Sequence, residues 1–244
     1  MILKLNKIHF IYFVILAFWA GQSFAFGDPM VENTWREGKV FSPGKFFPET
    51  TKNFQSDNRF PVVLYFHGCS GISDVNDIPW AKLLSSNGYL VIMPDSFARL
   101  NKKVECDSRK YTKPSGLDGW LRIDEVIFSL KKVTELGWSN GTIYLMGHSQ
   151  GAWALSRLSV EGVSGVVLSS LASCEIGINI SKSIRVLRIG YSNDPWNKIS
   201  PTVCDSHMIH ENLQMKIIEG MEHETYKSNQ FRKNVLDFFN FTKN

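Results

Sequence analysis

Ser149 lies in Gly147-His148-Ser149-Gln150-Gly151, with glycine two positions to either side. A serine in that spacing fits a sharp strand-to-helix turn, where side chains at the flanking positions would collide and the hydroxyl is held clear of the sheet. Serine alone is a weak nucleophile. It needs a base to take its proton and an acid to orient the base, and the chemistry is then acyl transfer. Three histidines follow it, His207, His210 and His223. His223 comes just after an apolar stretch at 216–218, so a loop leaving a strand end carries it toward the serine; it is the expected base. His207 and His210 lie in a polar stretch without that placement. Asp194 follows the apolar run 186–189 in the same manner and is the expected acid, with Asp205 as the alternative. Glu222 is too close in sequence to His223 to orient it. Attack on a carbonyl makes an oxyanion, which requires two donors. The backbone N–H of Gln150 supplies one, and that of Cys69, in His67-Gly68-Cys69-Ser70-Gly71, supplies the other. His67 shapes this loop rather than moving protons. No cofactor is expected, and no metal, since no ligand-spaced motif such as His-Glu-x-x-His occurs.

These residues need a frame that brings strand ends together. Continuous apolar runs at 62–66, 89–93, 143–146, 163–169, 186–189 and 216–218 read as strands buried on both faces. Between them, residues 80–86, 117–136, 150–160 and 229–239 read as helices. In the second of these, Ile123, Val126, Ile127, Leu130 and Val133 share one face at helical spacing. Residues 40–41 form a weak strand candidate, and residues 97–116 a long surface excursion. Strands alternating with helices predict a single α/β domain with a doubly wound, mostly parallel sheet. Trp80, Trp120, Trp153 and Trp196 are the aromatic candidates for lining a site.

The chain has 244 residues, 43% hydrophobic and 20% charged, which excludes both a disordered chain and a polytopic membrane protein. The net charge of +4 is scattered, so no nucleic-acid partner is expected. Lys4 and Lys7, an apolar run at 10–20 and the small residues of Ser23-Phe24-Ala25 form the pattern of a secretory signal peptide. The expected division is a signal peptide at 1–25, an N-terminal arm or edge strands at 26–56, and one catalytic domain at 57–244. Cleavage would leave no membrane span and deliver the chain to the periplasm or the medium; an uncleaved anchor is the competing reading. Cys69, Cys106, Cys174 and Cys204 all follow the signal segment, and an exported chain can pair them in three ways.

With loop, elbow, acid and histidine in this order, residues 60–240 resemble the α/β-hydrolase superfamily, and within it the dienelactone-hydrolase-related branch. The loop at 67–71 is similar to that branch's His-Gly-Cys-Gly-Gly segment. Asp95-Ser96-Phe97, followed by Arg99 and Cys106, is similar to its next strand end. Dienelactone hydrolase carries a cysteine at the elbow, where this chain has Ser149. The resemblance implies an α/β-hydrolase fold without a large lid and a small-molecule ester substrate, with small or aryl esters cleaved through an acyl-enzyme. It also implies the disulfides Cys69–Cys106 and Cys174–Cys204, by proximity of successive strand ends. A serine peptidase of the same fold and a catalytically silent exported binding protein are the alternatives.

Overall fold

The computed structural model describes residues 29–99, 106, 116–171, 177–196 and 210–240. It opens with helix α1 (Pro29–Arg36) and two short strands, β1 (Lys39–Phe41) and β2 (Glu49–Thr50). Strand β3 (Phe60–Phe66), helix α2 (Asp77–Ser86) and strand β4 (Leu90–Met93) follow, with a 3-10 turn at Ser96–Ala98. Then come α3 (Gly116–Leu136), β5 (Ser139–His148), α4 (Gln150–Ser156), β6 (Gly165–Ser169), β7 (Val186–Tyr191), β8 (Leu213–Ile218) and α5 (Asn229–Asn240).

The described strands form one sheet in the order β2-β1-β4-β3-β5-β6-β7-β8. From β4 to β8 every pairing is parallel, whereas β1 and β2 add an antiparallel edge. After β3 the chain winds first to one side, through β4, and then to the other, through β5. The crevice outside the carboxyl ends of β3 and β5 is therefore the switch point, where such sheets hold their ligands.

The apolar runs are continuous because each strand feeds two cores by alternation. Val62, Leu64 and Phe66 of β3 pack with Val126, Val133 and Leu155 on one face. Val63 and Tyr65 pack with Trp80, Leu84, Phe231 and Val235 on the other. Period 2 thus splits a single run between two helical layers.

Three expectations need correction. Part of the N-terminal arm is a helix, and Val31 and Trp35 of α1 are buried in the first core, with Trp35 stacked on Trp138. Ile127 is exposed, because the inward stripe of α3 runs through Arg122, Glu125, Val126, Ser129 and Val133. Two charged residues on the buried face shift the stripe away from the one that hydrophobicity alone marks. Helix α4 also stops at Ser156, short of residue 160. Among the described residues, no helix is long and apolar enough to cross a membrane. The signal segment at 1–25 lies outside the described residues.

Candidate active site

Ser149 sits between β5 and α4 with φ 53° and ψ −113°, a left-handed-side conformation rare for a residue with a Cβ. The flanking glycines have direct steric reasons. A Cβ on Gly147 would lie 2.5 Å from the Ala152 nitrogen, and one on Gly151 would lie 2.1 Å from the Phe66 carbonyl oxygen. Neither neighbour is a side chain that can move aside. The turn is held by the Ser149 N–H, which donates to the Ser169 carbonyl at 2.9 Å.

Asp194 and His223 leave the ends of the neighbouring strands β7 and β8. His223 Nδ1 is 2.7 Å from Asp194 Oδ2. Asp194 is fully buried, and its Oδ1 accepts the Trp196 N–H at 2.9 Å, so both carboxylate oxygens are engaged. The two loops are joined by backbone: Asn193 N–H donates to the Gly220 carbonyl, and Ser192 N–H to that of Ile218, each at 2.9 Å. The Ser170 hydroxyl donates to the His223 carbonyl at 2.8 Å, from a residue that itself has φ 50°. Residues 169 and 170 thus hold the elbow with one group and the histidine loop with another.

Two rings flank this pair. The Trp196 ring centroid is 5.5 Å from that of His223. His148 is buried, its ring 4.9 Å from that of His223. Burial first, and the nearby His223 second, hold its pKa well below the usual imidazole value. His148 is therefore neutral at pH 7 and sets no second positive charge against His223.

The loop after β3 crosses directly over the elbow. A Cβ on Gly68 would be 3.4 Å from both Ser149 Cβ and His148 Cδ2. Register explains this, since Phe66 pairs with Gly147 and the two chains leave the sheet side by side. His67 is fixed rather than free. Its Nε2 accepts the Ser96 N–H at 3.1 Å, so Nδ1 carries the proton and donates to the Gly68 carbonyl at 2.6 Å. Arg122 Nη2 donates to the His67 carbonyl at 2.8 Å. Arg122 is paired at 2.5 Å with Glu125, which also pairs with Arg99 at 2.7 Å and accepts from the Ser96 hydroxyl at 2.8 Å. All four of these side chains are buried. Cys69 is joined to Cys106 by a disulfide with a Cα–Cα distance of 5.7 Å.

Other candidates fall elsewhere. His210 precedes β8, at the opposite end of the sheet from Ser149, and its Nε2 is 3.0 Å from the Ser181 carbonyl. Asp205, His207, Cys174 and Cys204 lie outside the described residues. Trp80 is no pocket wall: it is fully buried between α2 and the sheet, and its indole N–H donates to Thr225 Oγ1 at 3.0 Å. Trp120 is exposed and meets Trp153 edge-on at 6.1 Å. Among the described residues, no three His, Cys, Asp or Glu side chains are grouped to hold a metal. Arg122, Glu125 and Ser170 were not marked by the sequence. A charged pair three apart on a helix ordinarily reads as solvated surface, and positive φ at a serine leaves no trace in composition.

No protein-family model and no curated protein sequence matches the chain. Solved structures do match. The esterase Pf2001 of Pyrococcus furiosus aligns with a TM-score of 0.56 at 13% identity, over 75% of this chain and 83% of that one. Est1E of Butyrivibrio proteoclasticus aligns with a TM-score of 0.55 at 12% identity, over 83% and 93%. Dipeptidyl peptidase 4 of Porphyromonas gingivalis aligns with a TM-score of 0.52 at 14% identity, over 85% of this chain but 33% of that one. At such identities the likeness concerns the fold. Among the described residues it is the α/β-hydrolase fold, as a single domain without a large lid.

Proposed function

We propose that the chain is a serine-dependent hydrolase of carboxylic esters, with Ser149 as nucleophile, His223 as base and Asp194 as orienting acid. The observation that carries this reading is the 2.7 Å contact of His223 Nδ1 with buried Asp194, on loops tied to the same strand end as the strained Ser149 elbow. Asp194 fixes the ring with Nδ1 protonated and leaves Nε2 basic. His223 takes the Ser149 proton as the hydroxyl oxygen attacks the ester carbonyl. The backbone N–H groups of Gln150 and Cys69 receive the oxyanion, and the clamped loop at 67–71 keeps the second donor over the elbow. His223 then protonates the leaving alcohol. Water repeats the steps on the acyl-enzyme and releases the acid.

Small or aryl acyl groups suit Trp196, whose ring borders His223. Est1E has the same fold and is known with ferulic acid bound, an aromatic acid. Placement in the dienelactone-hydrolase-related branch rests on the loop at 67–71 and on Asp95-Ser96-Phe97 with Arg99. The loop and the 3-10 turn are linked here through His67 and Ser96. Export is supported by the signal pattern at 1–25 and by the Cys69–Cys106 disulfide, since such bonds persist in oxidising compartments.

A fluorophosphonate probe tests the chemistry. It is expected to label the wild-type protein at Ser149, and p-nitrophenyl esters are expected to turn over faster than aminoacyl anilides. In Ser149→Ala both labelling and turnover are expected to vanish, with the circular dichroism spectrum unchanged. Turnover retained in that variant would overturn the assignment, and preferential anilide cleavage would make the enzyme a peptidase. The labelled protein is expected in the periplasm or medium with the mass of a chain lacking residues 1–25. A full-length product in the membrane fraction refutes cleavage and makes residues 1–25 an anchor.

A further inference from the structure

We propose that Asn76 is a positioning residue for the reaction proposed above: it fastens the His223 loop to the start of α2 and so sets the imidazole against Ser149. Asn76 is the residue before α2 and is fully buried. An asparagine there ordinarily caps its own helix by accepting an N–H from the first turn. This one makes no side-chain cap bond. Its Oδ1 instead accepts two backbone N–H groups from the far end of the chain, Thr225 at 2.8 Å and Tyr226 at 3.1 Å. Its Nδ2 donates to Asp77 Oδ1 at 2.8 Å and lies 3.4 Å from the Tyr65 hydroxyl.

The amide is held in a single orientation by this arrangement, because only its oxygen can accept from the two loop N–H groups. Asp77 is fixed in turn by the Tyr65 hydroxyl at 2.8 Å and the Ser73 N–H at 2.9 Å. On the loop side, Thr225 Oγ1 receives the Trp80 indole N–H and lies 3.2 Å from the Ser169 hydroxyl. Ser169 is the residue whose carbonyl accepts the Ser149 N–H. A chain of buried contacts therefore runs from Asn76 through Thr225 and Ser169 to the elbow, and Thr225 is two residues from His223. Truncating Asn76 takes the acceptor from two N–H groups and strands that of Thr225, which is fully buried, where water does not reach. The loop can satisfy them only by moving, and His223 moves with it.

The test compares Asn76→Ala, Asn76→Asp and Val133→Ala. In Asn76→Ala, kcat for p-nitrophenyl esters is expected to fall about 100-fold, the loss that follows a displacement of about 1 Å at reacting groups, with KM nearly unchanged. Asn76→Asp keeps the accepting oxygen but sets a second carboxyl 2.8 Å from Asp77 Oδ1, so it is expected to recover most of that loss where the pair holds a shared proton, at pH 5 against wild type at the same pH. Val133→Ala removes buried apolar contact from the first core, outside this network, and is expected to lower the melting temperature while leaving kcat near wild type. A kcat that follows melting temperature across all three, with no recovery in Asn76→Asp, overturns the proposal. Amide hydrogen exchange gives a readout that needs no substrate. The Thr225 and Tyr226 N–H groups are expected to be protected in the wild-type protein and to exchange at least about tenfold faster in Asn76→Ala, as loss of one hydrogen bond implies. Unprotected wild-type amides refute the positioning role even if every variant fails to fold. An inactive wild-type protein with these two amides protected would instead fault the proposed reaction.

Discussion

The two halves of the site are fastened by different means. The loop over the elbow, at 67–71, is held by a disulfide and by buried charge: Cys69–Cys106 at its centre, and Arg99, Arg122 and Glu125 beneath His67. The histidine loop has no such bond among the described residues. It hangs on neutral hydrogen bonds from Asn76 and Ser170, besides the Asp194 contact itself. In the proposed reaction the physical demands differ accordingly. Backbone donors for an oxyanion act best when rigid, so covalent and ionic fastening suits them. An imidazole must accept a proton and release it again, which suits a loop support built from neutral groups that leaves the Asp194 contact undisturbed.

Perturbations that break one fastening should spare the other. The largest effect is expected from Glu125→Ala. It leaves two buried guanidinium groups without their shared partner, a loss of about 3–5 kcal/mol for a buried pair broken on one side. Chemical denaturation should show that loss, while protection of the Thr225 and Tyr226 amides under native conditions stays at the wild-type level. Loss of that protection would mean that the halves are coupled.

Replacing both Cys69 and Cys106 by alanine should come next. The bond spans 37 residues of sequence, which in a chain-entropy account contributes about 4 kcal/mol at most. The backbone N–H at position 69 survives the change, so kcat should fall less than stability does. An ester turnover reduced as far as in Ser149→Ala would show that the bond, and not the buried charge network, keeps the donor in place.

The smallest effect concerns the support of Asn76. Burial pushes the Asp77 carboxyl up to about 6, against contacts from Ser73, Tyr65 and Asn76 that pull it down. The folded protein therefore prefers this group protonated. Its favourable contribution is complete below the ordinary carboxylate value of 3.8 and is lost as pH rises through about 6, a change of up to about 3 kcal/mol. Asp77→Asn does not titrate. Its stability relative to wild type, read from urea unfolding, should rise between pH 4 and pH 7. A flat difference would show that burial does not raise the Asp77 carboxyl above its unfolded value.

How much of this was legible depends on the range of the interaction. The elbow was legible because its signal lies within five residues and its glycines are sterically required by backbone atoms of the same turn and of β3. The central strands were legible because burial on both faces needs a continuous apolar run. Their order along the chain then placed Asp194 and His223 at neighbouring strand ends. The inward face of α3 was misread at Ile127, because Arg122 and Glu125 occupy positions that hydrophobic periodicity assigns to apolar residues. Helix α1 was missed because a short segment with Asn and Thr owes its helicity to Val31 and Trp35 packing on the core. Trp80 was one of four candidates for lining a site, with core packing equally open, because an indole suits both.

By itself the sequence determined the alternation of strands and helices, the strained serine and the order in which serine, acid and histidine occur. These rest on local sterics and on burial of apolar groups, which leave a period in the chain. Only the tertiary structure decided how the loops are held. Asn76 meets Thr225 across 149 residues, Arg122 meets His67 across 55, and Cys69 meets Cys106 across a bond that cysteine count alone left open and the family resemblance implied. Buried polar groups have no periodic signature. Each takes whatever partner the fold brings within hydrogen-bond reach, and that partner is fixed only once the sheet has set the register of its strands.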